Sequence, residues 1–584
     1  MKLFLSVFAC AVMTVSCSSS DTLPLPIDDT PLPIDDTPQL VDDPATVFEP
    51  TPSDLVINEA LYSEDGYATA NVIRVDVRTA TTAGICTIDD QSGCTLADVI
   101  ADVDGSDDFK VDIPVHVSSD DFPIDGTASN AELRQRGGGS RAASQKSFRI
   151  KLDSKDVLWR NERFLQLNKH PFEATRIRNK LAFDMMKEVP HLPSMRTQFV
   201  NLWIDNGQGP VDYGLFTHVE RPNDDYLRRR GLDADANLYK AEFFKFTEFN
   251  LQDIAIDAEG EPLDEDRFES ALEIEEGDDH RPLVAMMTAF HDTERSFESV
   301  LDEHFNRNNV MAWMASNILL RQADATRQNY LLYNPSGTER FYFLPWDYDA
   351  AMGEWREPLN SYDNDALLER LEYGYAISVN SEFTSRFLKL PGMHEKMLAA
   401  VNEIHQNHIT NELITERAEL YSDLVQPFQT RLPDSANNPA FNVTSGKLLA
   451  NGPAANADAL KHRFAVPMPP TLMAPVLENG QWIFSWTPAY EVTGNEVTYD
   501  LHVASYWSFA PDNIVVEITG IEDEVESVSQ AVDAARLPAG EYYVRLTARA
   551  SNDPERFWQV SSNTTTIAGV RRNGVIRFTV PVQP

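Results

Sequence analysis

Apolar and polar positions change their spacing several times along this chain, and the changes outline its parts. Residues 3–15 form a continuous apolar run behind Lys2, too short to span a bilayer as a helix. Two-residue alternation follows at 72–77 and 111–117 and predicts strands between turns. In 147–152 the alternation puts Phe148, Ile150 and Leu152 on one side of a strand and Arg149 and Lys151 on the other. The acidic stretch 241–281 predicts loops with one amphipathic helix. Residues 308–320 are almost wholly apolar over a length that suits a buried helix. Two strands, 330–333 and 341–344, then flank a turn at 334–337. The pattern is helical again over 393–425, with Met397, Val401, Ile404 and Ile409 on an apolar stripe. Beyond Pro467-Met468-Pro469-Pro470 a strand spacing takes over, at 482–486, 499–503, 514–518, 542–548 and 575–580, and predicts a β-sandwich.

Composition narrows the setting. A chain of 584 residues holds at least two domains. Its formal net charge of −42 repels a polyanion and so excludes nucleic acid as a partner. That charge suits solubility in a saline or extracytoplasmic setting, and it would also suit a basic protein substrate. Residues 14–18, Thr-Val-Ser-Cys-Ser, resemble a bacterial lipoprotein signal, with cleavage before Cys17 and lipid on its sulfur. This predicts a membrane-anchored lipoprotein of the bacterial cell envelope. Residues 18–50 read as a tether, with Leu-Pro-Ile-Asp-Asp-Thr-Pro repeated in tandem, proline stiffening it and paired aspartates repelling. Cys10 leaves with the leader, so Cys86 and Cys94 remain, and an oxidising compartment predicts a disulfide between them. Residues 102–108 resemble part of a calcium loop but lack the EF-hand spacing, and a surface turn is the reading adopted.

The candidate chemistry lies beyond the C-terminal end of the buried helix and around a glycine triplet. Asp324 is followed five residues later by Asn329, then by the hairpin, then by Pro345-Trp346-Asp347-Tyr348-Asp349. Phosphoryl transfer needs a carboxylate beside the acceptor hydroxyl, and carboxylate and amide oxygens on a magnesium ion that bridges phosphates; this order of parts would supply both. By spacing alone, solvated carboxylates at helix and strand ends fit equally well. Gly137, Gly138 and Gly139 allow close backbone approach, and the flanking Arg136 and Arg141 suit phosphate oxygens. Lys151 stands on the strand after that loop, where a kinase places the lysine that holds phosphates, although a glycine triplet by itself is most often only a loop. Nucleophile-elbow, H-E-x-x-H and P-loop motifs are absent from the sequence.

Several of these segments together resemble the CotH family of spore-coat proteins, atypical secreted-type protein kinases. They are Gln322-Ala323-Asp324, Asn329-Tyr330-Leu331-Leu332-Tyr333, the Pro345–Asp349 run, Arg134-Gln135-Arg136-Gly137 and Lys146-Ser147-Phe148-Arg149-Ile150-Lys151-Leu152. Residues 165–169, 213–220 and 237–240 fit further family segments, while Gln322 departs where asparagine is usual. The resemblance implies an α+β, two-lobed kinase-like domain over 51–466, after a leader at 1–17 and the tether at 18–50. A fibronectin type III-like sandwich over 467–584 would follow. It implies ATP with Mg²⁺ or Mn²⁺ as cofactors, and transfer of the γ-phosphate to Ser or Thr of a protein. Asp324 would be the base; Asp347 and Asn329 would hold metal, with Asp349 in support. Lys151, Arg136, Gly137, Gly138, Arg149, Glu220 and Lys240 would bind nucleotide, Glu220 by pairing with a lysine or reaching the metal. The alternative is a non-catalytic surface binding or adhesion protein on the same fold.

Overall fold

A computed structural model describes residues 47–64, 71–79, 84–85, 92–103, 111–122, 126–171, 173, 175–322, 325, 328–352, 381–436, 452–524, 527–567 and 570–582. Asp324, Cys17, Cys86 and residues 18–46 of the tether lie outside the described residues. The last four tether residues, 47–50, are described and belong to the folded body, with Phe48 buried in its core and the Val47 amide donating to Glu403 at 2.9 Å.

Seven strands close a barrel: β1 (Val72–Thr79), β2 (Ile113–Ser119), β3 (Ala131–Arg136), β4 (Ser147–Leu152), β5 (Phe164–Asn168), β6 (Thr197–Asp205) and β7 (Pro210–Val219). Their order is β1-β2-β3-β4-β5-β7-β6, closed by a parallel β6–β1 pairing. The alternation read from the sequence in β1, β2 and β4 gives these strands one apolar face, and that face turns inward. Val75, Val77, Leu133, Phe148, Ile150, Leu165, Leu167, Val200 and Leu202 share one interior cluster; the outer face is polar on β3 and β4, while on β6 and β7 Phe199, Leu215 and Val219 join the neighbouring core. Helix α1 (Arg178–Met186) follows β5 in the chain and is wholly buried.

The second body is built on an antiparallel sheet, β9-β8-β10-β11, of β8 (Asn237–Ala241), β9 (Leu272–Glu276), β10 (Tyr330–Asn334) and β11 (Tyr342–Pro345). Helix α2 (Asp224–Arg229) links the barrel to it. The apolar run predicted as a helix is α3 (Arg307–Leu319), capped by Asn306, whose side chain accepts from the Asn309 amide at 2.8 Å. Trp313 of α3 stacks on Phe343 of β11 at 4.4 Å between ring centroids and meets Tyr330 of β10 edge-on at 5.6 Å. The helical stretch predicted over 393–425 is two helices, α4 (Met393–Asn407) and α5 (Asn411–Gln429), with Ile409 buried in the turn between them. Helix α6 (Gly452–Ala465) packs on α3 and α4. The acidic stretch holds more order than expected. It carries two short helices and strand β9, whose Leu-Glu-Ile-Glu-Glu sequence is too charged to read as a sheet strand.

Beyond Pro470, strands β12 (Val476–Glu478), β13 (Gln481–Trp486) and β16 (Val528–Asp533) form one sheet. Strands β14 (Val497–Ala504), β15 (Ile514–Glu522), β17 (Gly540–Ala550), β18 (Trp558–Val560) and β19 (Val575–Val580) form another. Both sheets contribute to a single cluster around Trp486, Tyr499, Leu501 and Leu546. Among the described residues no helix is long and apolar enough to cross a membrane. Cys94 is disulfide-bonded.

Candidate active site

The outer face of the barrel and the β9-β8-β10-β11 sheet enclose a cavity of about 550 Å³. Arg136 at the end of β3, Gly137 and Gly138 in the following turn, and Ser147 at the start of β4 form the barrel wall. Opposite stand Lys240 on β8, Asn329 just before β10, and Trp346, Asp347 and Asp349 just after β11. Hairpin β10–β11 thus returns Asp347 beside Asn329, as its strand–turn–strand pattern predicts. Gly137 is needed for its backbone: φ is +91°, and a Cβ there would meet the Ser140 hydroxyl at 2.3 Å. A Cβ on Gly138 would meet nothing within 4 Å, so its backbone faces open space.

The segment 347–349 is clamped from several sides. The Asp347 carbonyl accepts from Gln322 Nε2 at 2.8 Å. The Tyr348 amide donates to Asn179 Oδ1 at 3.1 Å, and its hydroxyl donates to Asn317 Oδ1 at 2.7 Å. Asp349 Oδ2 lies 3.2 Å from His170 Nδ1, and the other nitrogen of that ring is 3.4 Å from Asn179 Nδ2. His170, Asn329 and Asp347 all hold left-handed backbone, with φ of 48°, 62° and 49°. Such conformations cost about 1–3 kcal/mol each in a non-glycine residue and persist only where surrounding contacts enforce them. The Asn329 amide supplies one such contact, donating to the Ala241 carbonyl at 3.2 Å.

Charge is arranged across the cavity. Arg136 is half-buried; burial lowers its pKa to about 10 against the opposing pull of Asp347, Glu275 and Glu273. Lys240 sits between Glu242 and Glu273, 2.6 Å from the latter; burial opposes its charge, but the two carboxylates outweigh burial and its pKa is raised. Glu173 lines the cavity with its side chain only 3% exposed. Its Oε1 accepts from Thr175 at 2.6 Å, while Oε2 has no hydrogen-bond partner among the described residues.

Of the residues expected at a nucleotide and metal site, the structure brings together Arg136, Gly137, Gly138, Lys240, Asn329, Asp347 and Asp349. Three others stand elsewhere. Lys151 pairs with Glu132 at 3.7 Å at the far end of the β3–β4 ladder, four residues from Ser147 and therefore roughly 13 Å along the strand. Arg149 lies between them, beside the Phe164 ring. Glu220 meets neither a lysine nor the cavity. It is fully buried against Arg230 at 2.5 Å, Arg229 at 2.9 Å and Arg196 at 3.5 Å, and these arginines hold its pKa well below the ordinary range in spite of burial. Arg141 is likewise spent on structure: it pairs with Asp102 at 2.8 Å and holds the Gly137 carbonyl at 2.7 Å, fixing the turn instead of facing a phosphate. Sequence reading missed His170, Glu173, Asn179, Ser147 and Glu242 as cavity residues. His170 reaches Asp349, far from it in the chain.

The donors present fit a metal-bound polyphosphate. Hard oxygen donors (Asp347, Asp349 and the Asn329 amide) face a guanidinium and exposed glycine backbone across one cavity. Among the described residues no group of three His, Cys, Asp or Glu stands close enough to hold an ion on its own.

Fold and site together define an α+β protein with a carboxylate-and-cation cleft between a barrel and a helical body. The chain belongs to the CotH family: the family model described as CotH kinase protein matches residues 133–457, more than half of its length and including every cavity residue named above. It is similar to the Inner spore coat protein H of Bacillus subtilis (strain 168), with 24% identity over 310 residues, covering 53% of this chain and 80% of that protein. It also aligns with the crystal structure of the Helicobacter pylori proinflammatory kinase CtkA, at 11% identity and a TM-score of 0.27, over 56% of this chain and 94% of that one.

Proposed function

We propose that this chain is an exported atypical protein kinase that transfers the γ-phosphate of ATP to a Ser or Thr hydroxyl of a protein. Membership of the CotH family supports the reading, and one structural observation carries it: Asp347, Asp349 and Asn329 face Arg136 and the Gly137–Gly138 backbone across a single cavity. Asp347 and Asn329 would hold Mg²⁺ or Mn²⁺, with Asp349 oriented by His170 in support. Bound there, the ion would neutralise charge on the phosphates. Arg136, the glycine backbone and Lys240 would position those phosphates. Asp324, on the chain between α3 and Asn329, would orient the acceptor hydroxyl and take its proton. Lys151, Arg149 and Glu220 are left out of the nucleotide site because of where they stand.

The lipoprotein-type leader, Cys17 and the tether support display on the envelope, in keeping with a relative named as a spore coat protein. The fibronectin type III-like region over 467–584 would bind or space. The test is to incubate the purified protein with γ-labelled ATP, Mg²⁺ or Mn²⁺ and a test protein, and to map the label. Label on Ser or Thr is expected, and Asp324→Asn should lower transfer by roughly 10²–10⁴-fold while ATP still binds. Folded protein that transfers no label with either metal would leave the non-catalytic binding protein in its place.

A further inference from the structure

The cavity continues along the barrel's outer face as an arginine-rich surface that nucleotide binding does not use. Register lays the outward residues in rows. Arg136, Ser147 and Asn168 form the row inside the cavity; Arg134, Arg149, Gln166 and Val219 form the next, about 7 Å on. Arg134 and Arg149 are direct cross-strand partners, and like charges in that position destabilise a sheet. The Arg149 guanidinium has no hydrogen bond or ion pair among the described residues, and its Nε is sealed from solvent. Its neighbour is the Phe164 ring, around which three guanidiniums gather: Arg149 and Arg163 at 5.8 Å and Arg221 at 4.7 Å from the centroid. Burial, and then Arg134, lower the Arg149 pKa to about 9. The nearby acids pair with its neighbours and leave Arg149 itself without a carboxylate in contact, although Asp112 supports its charge at longer range. Asp112 is 4.0 Å from Arg134; Glu275 is 3.5 Å from Arg221, and burial followed by the Glu273 carboxylate pushes its pKa up to about 7.

We infer that this face takes the anionic part of the acceptor, a peptide segment with carboxylate or phosphate groups flanking the reacting Ser or Thr. The inference rests on the phosphoryl-transfer reading of the cavity. In that reading the nucleotide's phosphates occupy the row facing Asp347, and its neutral base offers nothing to match unpaired guanidinium charge, so the anion comes from the second substrate. The net charge of −42 would favour a basic partner at long range. At physiological ionic strength the Debye length is about 8 Å, similar to the spacing between rows, so contacts at the cleft follow local charge.

The experiment is calorimetry on the full chain with Mg²⁺ and a non-hydrolysable ATP analogue. It is titrated with a peptide holding serine between pairs of glutamates, and with the same peptide carrying lysines. The glutamate peptide should bind at least about tenfold more tightly, the equivalent of one charge-assisted contact, and the difference should shrink as salt rises. Arg149→Ala and Arg134→Ala should each remove most of that preference. Each should leave the analogue's Kd within about twofold. Arg149→Ala, which relieves a like-charge pair, should leave the Tm undiminished, whereas Arg134→Ala also removes the partner of Asp112 and so is read by binding alone; Arg149→Lys should retain part of the preference. Equal binding of the two peptides would overturn the inference, as would variants that lose analogue and peptide in parallel. If the analogue binds and lysine peptides are preferred, the acceptor assignment fails and the kinase reading stands. If the analogue does not bind but glutamate-peptide binding still depends on Arg149, the kinase reading fails and the anion face stands.

Discussion

Glu220 and Lys151 show how differently two charged residues of the same motif set are used, and they make opposite predictions. Glu220 is the acceptor for the buried Arg196 and Arg230 and the half-buried Arg229. Glu162 also pairs with Arg196 and Arg229, so Glu220→Gln strips the buried Arg230 of its carboxylate and should cost about 3–5 kcal/mol in a denaturant titration. Lys151 is partly exposed, and its one carboxylate partner is also exposed. Lys151→Ala should change stability by well under 1 kcal/mol and MgATP affinity by less than about twofold. A tenfold loss of nucleotide affinity in that variant would return the lysine to the site. Sequence could not separate these two. Alternation told correctly that Lys151 points outward, but not how far along the strand the cleft extends. Nothing in the order of residues announced that Arg196, Arg229 and Arg230 converge on Glu220. Glu275 adds a pH dependence. Its pKa rises on folding from 4.5 to about 7, burial being the main cause and Glu273 the next. Between those values the folded state holds the extra proton, so this group's contribution to stability is lost as pH rises through the window. Glu275→Gln should flatten that decline in Tm between about pH 4.5 and 7, and an unchanged slope would contradict the assignment.

At the level of elements, the helix–hairpin unit was the most legible part, because a long apolar run and a turn between two short apolar runs leave few alternatives. Its stiffness comes from contacts that periodicity does not reveal. Trp313 lies flat on Phe343, and Asn309 both donates to and accepts from the Phe343 backbone, at 3.0 and 2.7 Å. Trp313→Ala should cost about 3–5 kcal/mol by denaturant titration. Because Asn329 and Asp347 flank the two strands that Trp313 supports, metal-dependent nucleotide binding should also weaken under native conditions. Binding unchanged in a destabilised variant would mean that the hairpin is held by the clamps on residues 347–349 alone. Strand β9 was illegible for a matching reason: three of its five residues are glutamates, and its place in the sheet is set by pairing with β8.

For the whole molecule, a net charge of −42 means that the folded chain repels itself, and salt screens that repulsion. The Tm should therefore rise as NaCl is raised from near zero to about 0.5 M, and a fall would show that attractive surface pairs outweigh the excess charge. The C-terminal region is more than an appendage. Met468 and Val492 join the core of the helical body, and the Met468 amide donates to the Tyr490 carbonyl at 2.7 Å. The proline-rich boundary was visible in the sequence, whereas this joint depends on two apolar residues that no periodicity marks. The central claim is that the cleft binds nucleotide through a metal held by Asp347. Calorimetric titration of ATP into the full chain, with and without Mg²⁺ or Mn²⁺, tests it most directly when run beside Asp347→Ala. The account predicts metal-dependent binding by the wild type and a loss of at least about tenfold in the variant, with its melt unchanged and affinity partly recovered at high metal concentration. Folded wild-type protein that binds no ATP with either metal, or an Asp347→Ala variant that binds it equally well, would contradict the account.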